Sequence, residues 1–519
     1  MGRALFAFFI VATASAQTGV PLRVGKITIE SLEVYSTSEE ARGSFYRLAN
    51  RMHIETKRPT IEKFLLFKEG DVYDQAKLAE TERNLRAQQF LKSASVIPLD
   101  PHDGVVDVRV VTQDGWSMAP EMQLGSGGGT TTYGIMLTES NLLGFGRAVE
   151  VGYNKGVDRN QFLVAYNDPA LLVPYLRAHF SYATTSDGYN RQFNLRRPFF
   201  AFETPWSGEA TFTSFRQDDR LYQDGVVVAR FSQAHRDLGA GYGFAIHPNE
   251  NSANRVSGGF RFVDDDFGPI EGGTQFDSRQ FRYLLTQFEH SESDFLKLNF
   301  VNKDTRYEDF NLGRGYAITA AVSPRALGVD ATTGYVSLSG TGGFRLSDES
   351  FVMPSMSIST RLASGIDNAI ANANLLVVDR VGNDRPRTFV GHIAVNSGWR
   401  MDGEKQFFAD GLTGLRGYRT HSFAGSRSIV FNVEERLYLG REILQVVYPA
   451  IVAFIDAGNA TNGGFSELMS LKTDFGVGVR FGLPHTKKNV LRIDLAYAVN
   501  RDPLGRHGLL VSFSSGQAF

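Results

Sequence analysis

Arg416 stands in the segment Gly411-Leu412-Thr413-Gly414-Leu415-Arg416-Gly417-Tyr418-Arg419, after a long polar approach and before a strand-like run from Ser428 to Arg436. A guanidinium keeps its charge, so in a confined site it needs carboxylates, and its planar fork suits them two bonds at a time. Carboxylates are within reach of a folded-back loop. Asn432, Glu434 and Arg436 share one face of the following strand by two-residue periodicity, opposite Phe431 and Val433, and Asp456 shares a face with Phe454 on the next. If the loop turns inward, Arg416 is expected to pair with Glu434 or Asp456, with Gly417 permitting a sharp turn and Tyr418 beside it. If it does not, Arg416 is an ordinary surface arginine, and periodicity alone leaves both readings open.

Few other residues have the spacing of chemistry. There is no Gly-x-Ser-x-Gly elbow, no His-Glu-x-x-His and no phosphate-binding Gly-x-x-x-x-Gly-Lys, so no enzymatic activity and no cofactor is expected. The 10 histidines are scattered, and Asp264-Asp265-Asp266 reads as a solvated acidic run rather than a calcium site, so no metal is expected. Gly125 to Gly129 lacks the lysine and the strand-to-helix context of a phosphate loop. With no cysteine, disulfides, thiolate metal sites and cysteine nucleophiles are excluded. A balance of 54 Lys+Arg against 56 Asp+Glu provides no field to attract nucleic acid.

The 519 residues suffice for more than one domain. At the start, Arg3 precedes the apolar run Ala4–Val11, and Ala14-Ser15-Ala16 supplies small residues for cleavage, so residues 1–16 read as a secretory signal peptide. Residues 17–116 mix strand and helix signals. Lys26 to Tyr35 alternates, Asp74 to Leu91 carries Leu78, Leu85 and Phe90 near helical spacing with Asp74 as N-cap, and Ala94–Leu99 with Val105–Val111 read as a hairpin. A small α+β domain is expected there.

From 117 to 519 short alternating runs recur between polar turns. In Leu491 to Val499 the odd positions are apolar or aromatic, while the even ones are Arg492, Asp494, Ala496 and Ala498. Such alternation fits a soluble sandwich or a membrane barrel equally. The export signal, the near absence of helical periodicity and the length of roughly 400 residues favour a transmembrane antiparallel β-barrel. Sixteen strands allot about 25 residues to each strand and its connection. Candidate strands include Phe295–Val301, Ile429–Leu439, Val446–Asp456, Asp474–Leu483, Asn489–Val499 and Gly508–Phe519; some upstream runs are expected in loop hairpins.

Leu415-Arg416-Gly417-Tyr418 resembles the loop signature of the outer-membrane assembly and secretion superfamily that includes BamA, TamA and the two-partner secretion transporters. Phe454-Ile455-Asp456-Ala457-Gly458 is similar to that family's Phe-x-Asp-x-Gly strand end, Asn141 to Gly146 to its first barrel hairpins, and residues 67–110 to one POTRA repeat. The C-terminus ends on an aromatic, Phe519, and Gly508, Val511 and Phe513 sit at a spacing like the family's outer-membrane targeting signal. The resemblance implies a barrel in the bacterial outer membrane with a single POTRA-like domain in the periplasm. It implies that Arg416, Gly417 and Tyr418 form a latch inside the lumen, with Glu434 and Asp456 as partners. It also implies partners: outer-membrane lipid, unfolded polypeptide clients, and periplasmic chaperones or accessory assembly proteins. Protein insertion or translocation would then run through client capture and a lateral seam between Met118–Leu124 and Gly508–Phe519. The alternatives are a two-partner-type pore for one passenger and a passive channel or surface antigen.

Overall fold

A computed structural model of the chain describes residues 21–518 except 36, 42, 128–129, 271–274, 444–446 and 484–489. The expected signal segment 1–16 and Phe519 lie outside the described residues.

The N-terminal domain is a three-stranded sheet in the order Arg23–Leu32, Val105–Asp114, Leu91–Pro98, the first pair parallel and the second antiparallel. Helix Gln75–Arg86 begins where expected, because the Asp74 side chain accepts from the backbone N–H groups of Ala76 and Lys77. It buries Leu78 and Leu85 against Val108, Val110, Phe64 and Phe90. Three further helices, Thr37–Glu40, Ser44–Met52 and Arg58–Glu62, lie between the first strand and this helix.

The rest of the chain closes into an antiparallel barrel in which successive strands are neighbours, from Met118–Gly127 round to Gly508–Ser515. Twenty-one strand segments make the wall, and Phe344–Arg345 continues Thr333–Thr341 in the same register against Ser350–Leu362, so twenty strands cross it. An even count lets the first and last strands meet antiparallel. The expectation of sixteen is corrected here. It assumed long connections, whereas several turns are minimal: Ser186-Asp187 links Arg177–Thr185 to Gly188–Arg197, and Asp224-Gly225, both at positive φ, links Trp206–Gln223 to Val226–Ile246. Residues assigned to loops are in the wall instead.

Burial decides between sandwich and membrane barrel. Phe475, Val477, Leu495 and Tyr497 are exposed on the outer face, while Asp474, Arg480, Asp494 and Ala496, which alternate with them, are buried. Ile451 and Ile455 likewise point out, with Val452, Phe454 and Asp456 in. An apolar exterior around a charged interior is the pattern of a wall that faces lipid. Among the described residues no helix is long and apolar enough to cross a membrane.

The domain is seated on one end of the barrel. Tyr175, in a turn between strands, donates to the Phe64 carbonyl at 2.6 Å, and Ala170, Tyr175 and Phe200 join the domain's core. Asp114 accepts from the Thr56 amide and hydroxyl at the junction and lies 2.8 Å from His53 Nε2.

Candidate functional site: the interior ion network and two inward segments

Between strands Arg387–Trp399 and Arg427–Tyr438 the chain makes a long connection, 400–426, at the end of the barrel away from the N-terminal domain. It is stiffened by a short pairing of Phe407–Ala409 with Phe423–Gly425. The Asp410 carboxylate accepts from the amides of Leu412, Thr413 and His421, which gathers the tip into a compact turn. Its flank reaches the opposite wall, where Gln406 exchanges two hydrogen bonds with the Tyr222 backbone and His421 stacks on the Tyr222 ring at 3.8 Å.

The tip points into the lumen. Arg416 is 4 % exposed; its Nε and Nη2 donate to the two carboxylate oxygens of Asp456 at 2.8 and 2.9 Å, and Nη1 donates to Glu434 Oε2 at 2.8 Å. Its guanidinium also lies 3.4 Å from the centre of the Phe454 ring. Burial opposes the charge, but Asp456, then Glu434 and Asp494, more than offset it and hold the guanidinium above its ordinary range. Both carboxylates proposed from the sequence are partners at once. The alternative of a surface arginine is not what the structure shows.

Gly417 has a different reason from the one expected. Its φ is not positive; a Cβ there would stand 2.5 Å from Asp474 Cβ and 3.0 Å from the Ala498 amide, so glycine lets the loop press against the wall. Tyr418 is buried among Leu415, Phe423, Val430 and Ala498, donates to the Thr473 carbonyl at 3.0 Å, and accepts from the Asn500 amide at 3.3 Å. Burial pushes its hydroxyl up to about 12.

The network extends beyond the residues singled out in sequence. Glu434 Oε1 accepts from Arg436 Nε at 2.8 Å and Arg480 Nη2 at 3.3 Å, and Arg480 Nη1 donates to Asp494 Oδ1 at 2.6 Å. Arg492 Nε lies 3.8 Å from Asp494 Oδ2. Four arginines thus gather around Glu434, Asp456 and Asp494, with Asp474 buried beside them. Gly478 makes the room, since a Cβ there would lie 2.2 Å from Asp494 Oδ1. Arg480 and Asp494 carried a signal: each is a charge alternating with the apolar outward residues of its strand.

A second segment enters from the opposite end. Phe295–Val301, expected as a candidate strand, is not in the wall: Phe295–Leu298 pairs only with Glu308–Asn311, in a hairpin between strands Arg279–Glu292 and Gly315–Ser323. Its tip crosses to the far wall, where the Phe300 carbonyl accepts from Thr388 Oγ1 at 2.8 Å and Tyr438 Oη at 3.3 Å, and the Val301 carbonyl from Arg436 Nη1 at 2.6 Å. Its base is tied to the N-terminal helix, with Arg86 Nη2 donating to Asp309 Oδ1 at 2.7 Å and Arg83 lying over the Phe295 ring at 4.4 Å. Arg306 Nη2 donates to the Leu91 carbonyl at 2.6 Å.

The remaining expected residues lie in the last strand, Gly508–Ser515. Val511 is exposed on the outer face and Phe513 sits opposite Ile493, while Gly508 has φ +120°. This strand neighbours Met118–Gly127 and closes the barrel, which puts the seam where the sequence placed it. Among the described residues no cluster of His, Asp and Glu is arranged to hold a metal ion.

No family model matches the sequence, and no curated protein matches it. Solved structures do. BamA from Haemophilus ducreyi lacking POTRA domains 1–3 aligns over 96 % of this chain and 85 % of its own at 13 % identity, with a TM-score of 0.38. CdiB from Escherichia coli aligns over 97 % and 92 % at 11 % identity and 0.46. CdiB from Acinetobacter baumannii aligns over 96 % and 74 % at 12 % identity with a TM-score of 0.50, and its likeness shows that this chain has the same fold, a closed β-barrel carrying a small N-terminal domain.

Proposed function

We propose that this protein is a bacterial outer-membrane member of the superfamily that includes BamA, TamA and the two-partner secretion transporters, and that it inserts or translocates polypeptides. The observation that carries the reading is the inward loop with Arg416 held by Glu434 and Asp456, because Leu415-Arg416-Gly417-Tyr418 resembles that superfamily's loop signature and a lumen latch is what the resemblance implies. The likeness of fold to CdiB agrees with it. In this reading the N-terminal domain is POTRA-like and lies in the periplasm, and the loop 400–426 is on the outer side.

The work needs no catalytic residue, cofactor or nucleotide. A client strand can add to the N-terminal sheet and to the seam between Met118–Gly127 and Gly508–Ser515, where new backbone hydrogen bonds offset the cost of carrying polar backbone into lipid. A passive channel is disfavoured because segments of the chain itself cross the lumen from both ends. A two-partner-type pore is the second reading, favoured by the likeness to CdiB. Depleting the protein and quantifying the outer-membrane proteome separates them: the assembly role predicts loss of several barrels, and loss of one secreted passenger would establish the dedicated pore. An unchanged proteome would reject both.

A further inference from the structure

The hairpin tip is held on the wall largely through its main chain and one aromatic ring, and the rest of the hairpin packs through apolar side chains. Three donors on the wall, Thr388 Oγ1, Tyr438 Oη and Arg436 Nη1, all serve main-chain carbonyls. Of its side chains, the Phe300 ring meets Tyr438 at 4.8 Å in an edge contact and Tyr448 at 5.4 Å, with Ala450 completing the cluster, while Leu296, Leu298, Val301 and Phe310 pack with Phe351 and Val378 of the wall. Carbonyl-directed donors flanking an aromatic socket can accept any extended segment that presents a ring at the right place.

The hairpin also fits its seat imperfectly. Arg436 is 1 % exposed, yet its Nη2 has no hydrogen-bond partner, so the seat retains a donor that the hairpin does not use. Asp304 is carried into the wall beside Gly482 fully buried, and among the described residues no side chain donates to its carboxylate. A buried donor left open and a buried carboxylate left unmatched both weaken the docked state relative to an occupant that fills one and lacks the other.

We infer that the wall site holding Phe300 and Val301 is a polypeptide-binding seat, occupied at rest by the chain's own hairpin and taken in turn by an extended client segment bearing an aromatic residue. This rests on the polypeptide-handling reading above and adds where the client first meets the lumen. Arg436 gives the seat a line to the loop, because Glu434 accepts from both Arg436 and Arg416. Exchange at the seat therefore perturbs a carboxylate that holds the outer segment.

The test uses the full chain in detergent micelles and a fluorescent nonapeptide copying residues 297–305, read by anisotropy. Phe300→Ala empties the socket, and a second variant replacing 296–310 with a Gly-Ser linker guards against misfolding of the first; heat-modifiable migration checks that both barrels are formed. The peptide is expected to bind both variants at least about tenfold tighter than the unmodified protein, and to lose about tenfold when its phenylalanine is replaced by alanine. Adding Tyr448→Ala should abolish the preference for the ring. No binding to either folded variant, or binding indifferent to the ring, overturns the inference; if conductance rises in the same variants, the hairpin is a plain plug and the transport reading survives. Peptide binding together with an unchanged outer-membrane proteome on depletion would sink the transport reading, and the client role of the seat with it.

Discussion

The two segments that enter the lumen are held by different chemistry. Loop 400–426 is fixed by charge: a buried guanidinium makes hydrogen bonds to two carboxylates, lies on an aromatic ring, and joins a buried network of further arginines and carboxylates. Hairpin 293–314 is fixed by three bonds to carbonyls, by the Phe300 ring in its socket, by Leu296, Leu298, Val301 and Phe310 packed with Phe351 and Val378, and by Asp309 paired with Arg86 of the N-terminal helix. Removing one partner of the first arrangement strands a charge in a closed space, whereas releasing the second returns carbonyls to water. Charge anchors the loop, whereas carbonyl bonds and apolar packing carry most of the hairpin's hold on the wall.

The largest effect should come from breaking the loop. Arg416→Ala leaves Glu434 and Asp456 short of their cation and should cost about 3–5 kcal/mol, seen as loss of the heat-resistant folded band in cold electrophoresis. Arg416→Lys keeps the charge but not the fork, and should recover only part of that stability. Retention of full heat resistance by Arg416→Ala would mean the network does not stabilise the barrel.

Next comes the hairpin. Phe300→Ala should cost the docked hairpin about 3 kcal/mol while leaving the wall intact, because the hairpin is not one of its strands. Limited proteolysis should then cut within 296–310 much faster, with the barrel core protected. Equal cutting in both proteins would contradict the contrast drawn between the two segments.

Much of this was legible in sequence and some could not be. Two-residue alternation in Leu491–Val499 marked a wall strand and told which face carried Asp494, because the pleat fixes side-chain direction. Glu434 and Asp456 were found the same way. The strand count failed because Asp224-Gly225 turns in two residues, which no average length foresees. Phe295–Val301 alternates like a wall strand yet pairs only locally; its place is set by tertiary contacts to Thr388 and Tyr438, far away in sequence. Gly417 was singled out for the wrong reason, since closeness to Asp474 depends on a strand that follows more than fifty residues later.

Gly417 yields a smaller, sharper prediction. Gly417→Ala forces the loop tip away from Asp474 and should cost about 1–3 kcal/mol, less than Arg416→Ala because the ion pairs can follow a small shift. A thermal melt of the two variants side by side orders them.

The smallest effect expected is that of pH on the hairpin. Burial raises the Asp304 carboxyl to about 6, with Arg306 opposing and Glu442 adding to the shift, whereas a released hairpin restores the ordinary value near 3.8. The folded form then binds the proton more tightly, so docking is strongest below about pH 4, weakens as pH rises to about 6, and is level above. Protection of 296–310 from an acid-tolerant protease should be greater at pH 4.5 than at pH 7.5, and Asp304→Asn should flatten the difference. Equal protection at the two pH values would place Asp304 in water, and the reverse trend would mean that its carboxylate is held ionised.

The most direct test of the whole account is single-channel conductance in planar bilayers of the full chain, Phe300→Ala, Arg416→Lys and the double variant. A lumen crossed by two segments linked through Arg436 and Glu434 predicts a nearly silent parent, open-pore events in Phe300→Ala, and a double variant whose opening exceeds what the single changes give independently. A parent that already conducts as a wide pore, with Phe300→Ala indistinguishable from it, would contradict the account.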